Sequence, residues 1–92
     1  MQIQWTSGAI NSLEAIEQYI AADNSAAAKK TVLKILRFVE YLLEQPGLGR
    51  PGRLPGTREL IIPNTPFIVP YCKTRDTIEI LRIQHSSMRW PA

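Results

Sequence analysis

Glu59, His85 and the arginines Arg58, Arg82 and Arg89 are the residues of this chain whose types could together do chemistry. A carboxylate or imidazole can take the proton from a ribose 2′-hydroxyl. A second such group can return a proton to the leaving oxygen, while guanidinium groups hold the phosphate between them. That set would serve RNA strand scission. His85 is the only histidine, a residue type suited to proton transfer, and falls at the end of an apolar run, where a strand would present it. Each group also has a simpler reading, which is preferred. His85 would hydrogen-bond the C-terminal tail, and Glu59 would form a local, solvent-facing pair with adjacent Arg58. No catalytic residue is therefore assigned; were the chain a nuclease, Glu59, His85 and Arg82 would carry the reaction. Tyr71 reads as a packed strand aromatic rather than a general acid. Cys72 is the single cysteine, which excludes an internal disulfide and a cysteine-based metal site. No metal or cofactor is expected.

The charge is unevenly placed. The net charge is +3, with a pI near 9.4. Residues 1–45 hold four Lys or Arg against five Asp or Glu, a net −1, whereas residues 46–92 hold seven against three, a net +4. The basic half is almost wholly arginine, whose planar fork fits carboxylate or phosphate. An acidic protein segment and a nucleic acid are both natural partners. Arg50, Arg53, Arg58, Arg82, His85 and Arg89 are the candidate contacts. The N-terminus lacks a basic leader and an unbroken apolar core, and no run approaches the ~20 apolar residues of a membrane span. A cytoplasmic location with no membrane contact is expected.

Positioning falls to a single domain over residues 1–92. Gln2-Ile3-Gln4-Trp5 alternates with the period of a short strand. Ser7 would cap a helix to about Ala22, with Ala9, Leu13, Ile16 and Ile20 on one side. Asn24 and Ser25 offer the next cap, for a helix to about Gln45 with an apolar stripe of Ala28, Val32, Ile35, Leu36, Val39, Leu42 and Leu43. The short join predicts an antiparallel hairpin, and the width of the second stripe leaves room to seat a partner's helix. Pro46 to Gly56, dense in Gly and Pro, predicts a constrained loop without regular structure that carries Arg50 and Arg53. Strands are predicted at about 57–62, 67–73 and 77–85, joined as an antiparallel meander. Pro70 interrupts the middle strand and demands an edge position or a bulge. In the last strand Ile78, Ile80 and Arg82 would share one face, and Leu81, Ile83 and His85 the other. One face would meet the hairpin. The fold class is α+β, with an N-terminal strand and a helix hairpin packed on a small antiparallel sheet. Trp5 and Trp90 read as core and tail anchors.

Several stretches carry a resemblance: Gly49-Arg50-Pro51-Gly52-Arg53, Gly56-Thr57-Arg58-Glu59-Leu60, Thr65 to Tyr71, Ile78 to Arg82, and His85 with Arg89-Trp90-Pro91. In that order they resemble the RelE/ParE superfamily of type II toxin–antitoxin toxins, most closely the ParE branch of plasmid stabilisation proteins. The resemblance implies a compact toxin held inactive by a cognate antitoxin, an acidic and partly disordered protein. It implies DNA gyrase as the target; the alternatives are a RelE-like nuclease acting on messenger RNA in the ribosome, or a homologue that only binds antitoxin. The nuclease pattern, with its lysine-rich surface and C-terminal tyrosine, is not matched. The tail reads Arg89-Trp90-Pro91, no Tyr follows Tyr71, and Met88 and Cys72 stand where relatives commonly carry a basic residue.

Overall fold

In the computed structural model, which describes residues 1–86, β1 (Gln2–Trp5) leads into a helix capped by Thr6 rather than Ser7. Thr6 Oγ1 accepts the Ala9 amide at 3.2 Å and donates to the Ile80 carbonyl at 2.7 Å. One hydroxyl thus closes the helix and ties it to the sheet, a gain that Ser7 could not add. α1 spans Ser7–Ala21, and Asn24 caps α2 (Ser25–Glu40) by accepting the Ala27 amide at 3.0 Å. α2 stops short of Gln45 and tightens into a 3-10 turn at Tyr41–Leu43, and Pro46 keeps Gln45 out of the helical region beyond it.

The strands are β2 (Arg50–Pro51), β3 (Thr57–Ile61), β4 (Phe67–Thr74), β5 (Thr77–Ile80) and β6 (Gln84–His85), in the order β1-β5-β4-β3-β2, with β6 also beside β4. The meander β3-β4-β5 is antiparallel as expected, while β1 runs parallel to β5 and makes the sheet mixed. The Gly/Pro loop is more regular than its composition predicts. Arg50 and Pro51 pair with Glu59 and Arg58. The Gly52 amide bonds the Thr57 carbonyl at 2.8 Å, so Pro51 takes the alternate position, where an edge strand needs no donor.

Pro70 lies in the central strand, not at an edge. Glu59 faces it from β3, and the Ile62 amide bonds the Phe67 carbonyl in that ladder. The alternation of bonded pairs makes Glu59–Pro70 a non-bonded pair, so the proline's missing N–H points toward β5 and β6. There the chain bulges. Tyr71 pairs Ile80 and Ile68 pairs Gln84, leaving Val69 and Pro70 opposite Leu81, Arg82 and Ile83. This extra residue divides the predicted 77–85 strand into β5 and β6.

The bulge also corrects the predicted faces. Ile83, not Arg82, joins Ile78 and Ile80 in the core, and His85 comes round to the hairpin side opposite Phe67. That side is apolar: Ala9, Ile35, Val39 and Leu42 of the helical layer pack on Leu60, Ile62, Val69, Tyr71, Ile78 and Ile80. Each of the Leu, Ile and Val side chains contributes about 1.5–3 kcal/mol on full burial. Trp5 packs against this cluster half-buried, as expected of it. Trp90 lies outside the described residues.

Candidate functional site

Alternation along β3 puts Leu60 toward the hairpin and Glu59 on the other side of the sheet. Glu59 is only 2% exposed. Its partner is not Arg58, as the sequence predicted, but the residue across the ladder. Arg50 Nε donates to Glu59 Oε1 at 3.1 Å, and its Nη2 lies 3.0 Å from the same oxygen. Arg53 Nε approaches Oε2 at 3.9 Å, too far for a hydrogen bond, so that buried oxygen has an ionic neighbour but accepts no bond among the described residues. Gln84, equally buried, leaves Nε2 without an acceptor among the described residues. Arg50 and Arg53 thus hold the Glu59 carboxylate from two sides, at unequal distances. The geometry makes Glu59 the anchor of the Arg50–Arg53 loop.

Arg58 is diverted to the loop backbone and donates to the Gly49 carbonyl at 2.8 Å. Beside it, Tyr71 is fully buried. Its hydroxyl donates to the Pro46 carbonyl at 2.7 Å and accepts the Gly49 amide at 2.8 Å. Burial pushes the phenol above its ordinary pKa, against opposing effects of the Gly49 amide and the Arg58 charge. Gly49 is required here, since a Cβ would stand 2.7 Å from the Tyr71 ring. These groups border a cleft of about 490 Å³ whose lining includes Cys72, Arg58 and Lys73. Two cations and no carboxylate line it, which suits an anionic group. Burial, then the neighbouring Glu79 carboxylate, raises the pKa of the Cys72 thiol, so the thiol is not an activated nucleophile.

His85 stands at the other end of β4. Its ring meets Phe67 edge-on, with centroids 6.0 Å apart. Both line an apolar groove of about 520 Å³ with Ile16, Tyr19, Ile20 and Pro66. Arg82 lies in the bulge between β5 and β6, half-exposed. Arg89, like Met88, falls outside the described residues.

The candidate residues are thus distributed rather than gathered. Arg50 and Arg53 meet at Glu59, Arg58 stands with Tyr71 and Gly49, and His85 belongs to the apolar groove. Glu59 and His85 face opposite sides of the sheet, by their register to Pro70 and Phe67. Sequence reasoning missed Gln84, Gly49 and the structural use of the Tyr71 hydroxyl. For Glu59, the period of Thr57–Ile61 already held a signal that it turns away from Leu60. Among the described residues no group of His, Cys, Asp and Glu could hold a metal ion, and no helix is long and apolar enough to cross a membrane.

A helix hairpin on a five-strand-wide sheet is an architecture this chain shares with a solved toxin–antitoxin protein. The family model described as ParE toxin of type II toxin-antitoxin system, parDE, matches residues 3–90, and the chain belongs to that family. It is 42% identical over 90 residues to "Putative toxin Y4kP" of Sinorhizobium fredii, covering 98% of this chain and 93% of that protein. It is 28% identical over 86 residues to Toxin RelE2 of Caulobacter vibrioides, covering 94% and 96%. Among solved structures, a chain of the chromosomal ParDE TA system from P. aeruginosa superposes with a TM-score of 0.82 at 34% identity, covering 92% of this chain and 95% of that one.

Proposed function

We propose that this toxin acts in the cytoplasm by binding and poisoning DNA gyrase, without covalent chemistry of its own, and that direct binding of a cognate antitoxin neutralises it. The observation that carries this reading is the separation of the two groups a nuclease would need. Glu59 is buried against Arg50 on one side of the sheet, and His85 lies in an apolar groove on the other. A base and an acid so placed have no common substrate position. The Tyr71 hydroxyl is committed to two backbone groups and is no substitute. Antitoxin binding is supported by the solved relative's place in a ParDE toxin–antitoxin system. It is supported as well by the +4 half-chain and the cationic cleft beside Arg58 and Lys73, which suit an acidic segment.

The test is titration of purified toxin into gyrase supercoiling and DNA-cleavage assays, with and without antitoxin. Inhibition with trapped cleavage complexes, relieved by antitoxin, is expected. A folded, antitoxin-competent toxin that leaves gyrase untouched overturns the reading. Messenger-RNA cuts at the ribosomal A site would then identify the nuclease alternative. Antitoxin affinity should fall with rising salt, and a salt-independent affinity would refute the acidic-segment contact.

A further inference from the structure

The side of the sheet away from the hairpin is buried at its centre, although the helical layer packs on the other side. Alternation along β4 turns Ile68 and Pro70 to this outer side, opposite to Val69 in the core. Glu59 and Gln84 flank them from β3 and β6 and point the same way. Ile68 is 5% exposed, Glu59 and Gln84 are 2% exposed, and Pro70 is fully buried. Farther out on the same side, Ile61 is 49% exposed and Gln4 is exposed as well. Burial is thus confined to one patch astride β4. Arg50 and Arg53 shield Glu59 from the β2 side, but β4 and β6, which carry Ile68 and Gln84, lie one and two strands farther away. Within the patch, Glu59 Oε2 and Gln84 Nε2 are buried with no hydrogen-bond partner among the described residues.

We infer that this patch is the docking surface of residues 87–92 of the same chain, with the Trp90 ring laid against Ile68 and Pro70. The chain leaves β6 at the foot of the patch: the Ser86 amide donates to the Pro66 carbonyl at 2.6 Å, and Ser86 already lies in a turn. From Pro66 to Pro70 a strand advances about 13 Å. The four residues from Ser86 to Trp90 span at most about 14 Å before the indole is added, so Trp90 reaches both side chains. A tryptophan buries about 150–250 Å², an apolar cover that neither Arg50 nor Arg53 supplies. The backbone of the segment carries the donors and acceptors that the orphaned Glu59 and Gln84 atoms call for. The apolar groove beside His85 is also within reach, but no orphaned buried atom among the described residues lines it. The unsatisfied polar atoms therefore select the outer side. Keeping water from the Glu59–Arg50 pair strengthens it, so the docked segment steadies the Arg50–Arg53 loop. The inference does not depend on the identity of the toxin's target.

Nuclear Overhauser spectra of the full wild-type chain give the test and need no variant to fold. Contacts from the Trp90 ring to the Ile68 methyls and to Pro70 are expected. Contacts to Ile16 and Phe67 instead would put the segment in the groove and overturn the proposal, as would a Trp90 ring without contacts to any of these. Ile68→Ala and Trp90→Ala should also be coupled: the double variant should lose at least about twofold less in the folding constant than the product of the single losses. Strict additivity would refute the contact. Trp90→Ala should further cost the Gly52 amide, bonded to the Thr57 carbonyl, its protection from hydrogen exchange, while the Ile35 amide inside α2 keeps its own. Equal protection of Gly52 in variant and wild type would refute the hold on the arginine loop.

Discussion

On the hairpin side of the sheet, Val69, Ile78 and Ile80 bury only hydrocarbon, whereas on the other side Glu59 and Gln84 are almost as buried and carry polar atoms. The first arrangement gains stability from area alone and accepts any register that keeps the period. The second depends on Arg50 standing directly across the ladder from Glu59. Removing Arg50 leaves the buried Glu59 charge with little solvent to replace its partner. The contrast teaches where this toxin is tolerant and where it is brittle: packing holds the hairpin, and one carboxylate holds the arginine loop.

The widest gap should come from the core. Ile80→Ala is expected to cost about 2–5 kcal/mol in chemical denaturation, since the cavity lies under both Thr6 and the bulge. A cost below that of Arg50→Ala would reverse the comparison. Arg50→Ala itself should cost about 1.5–3 kcal/mol, the range for losing a hydrogen bond to a charged group. Arg53→Ala, whose 3.9 Å contact is long and whose side chain is 44% exposed, should cost less than about 1 kcal/mol. Adding Glu59→Leu to Arg50→Ala should recover part of the loss, because it removes the stranded charge. No recovery would mean that Arg50 acts through packing alone.

Tyr71→Phe joins the two regions, for it keeps the ring in the core and frees the Pro46 carbonyl and Gly49 amide. About 1–3 kcal/mol of destabilisation is expected. The substitution should also change the alkaline limb of stability. A phenol whose pKa is raised by folding binds its proton more tightly in the folded chain. The resulting stability is complete below the unfolded value of about 10 and is lost as pH climbs through the folded one. Wild type should therefore lose more stability than Tyr71→Phe between neutral pH and that region. Parallel curves would show that the Tyr71 proton contributes nothing. The smallest effect is reserved for Cys72→Ser. Its thiol pKa is raised in the same direction, mainly by burial, and the variant should flatten the same limb only slightly.

Much of the fold was legible because its signals are local. Helical spacing gave both helices, Asn24 announced its cap, and short Pro/Asn and Arg/Asp breaks separated the strands. Pro70 called for either an edge position or a bulge, and the structure takes the bulge, since a central strand tolerates a missing donor only where its neighbour departs. The site was less legible. Arg58 follows Gly56-Thr57 and precedes Glu59, so proximity in sequence predicted the wrong pair. Consecutive strand residues point to opposite sides, and the true partner, Arg50, is brought in by a register that no local pattern encodes. His85 was placed on the wrong side for a related reason: one extra residue between Ile80 and Gln84 reverses every later side chain.

By itself, then, the sequence determined the two helices, the β3-β4-β5 meander, their order and the charge asymmetry that sets a basic C-terminal half against an acidic N-terminal one. These follow from period, composition and turn chemistry, which act over a few residues. Tertiary structure alone decided that Glu59 is buried with Arg50, that Tyr71 ties down the loop at Pro46 and Gly49, and that Glu59 and His85 never meet. Those outcomes depend on strand register and on a single bulge, and both are set by pairing between segments far apart in the chain.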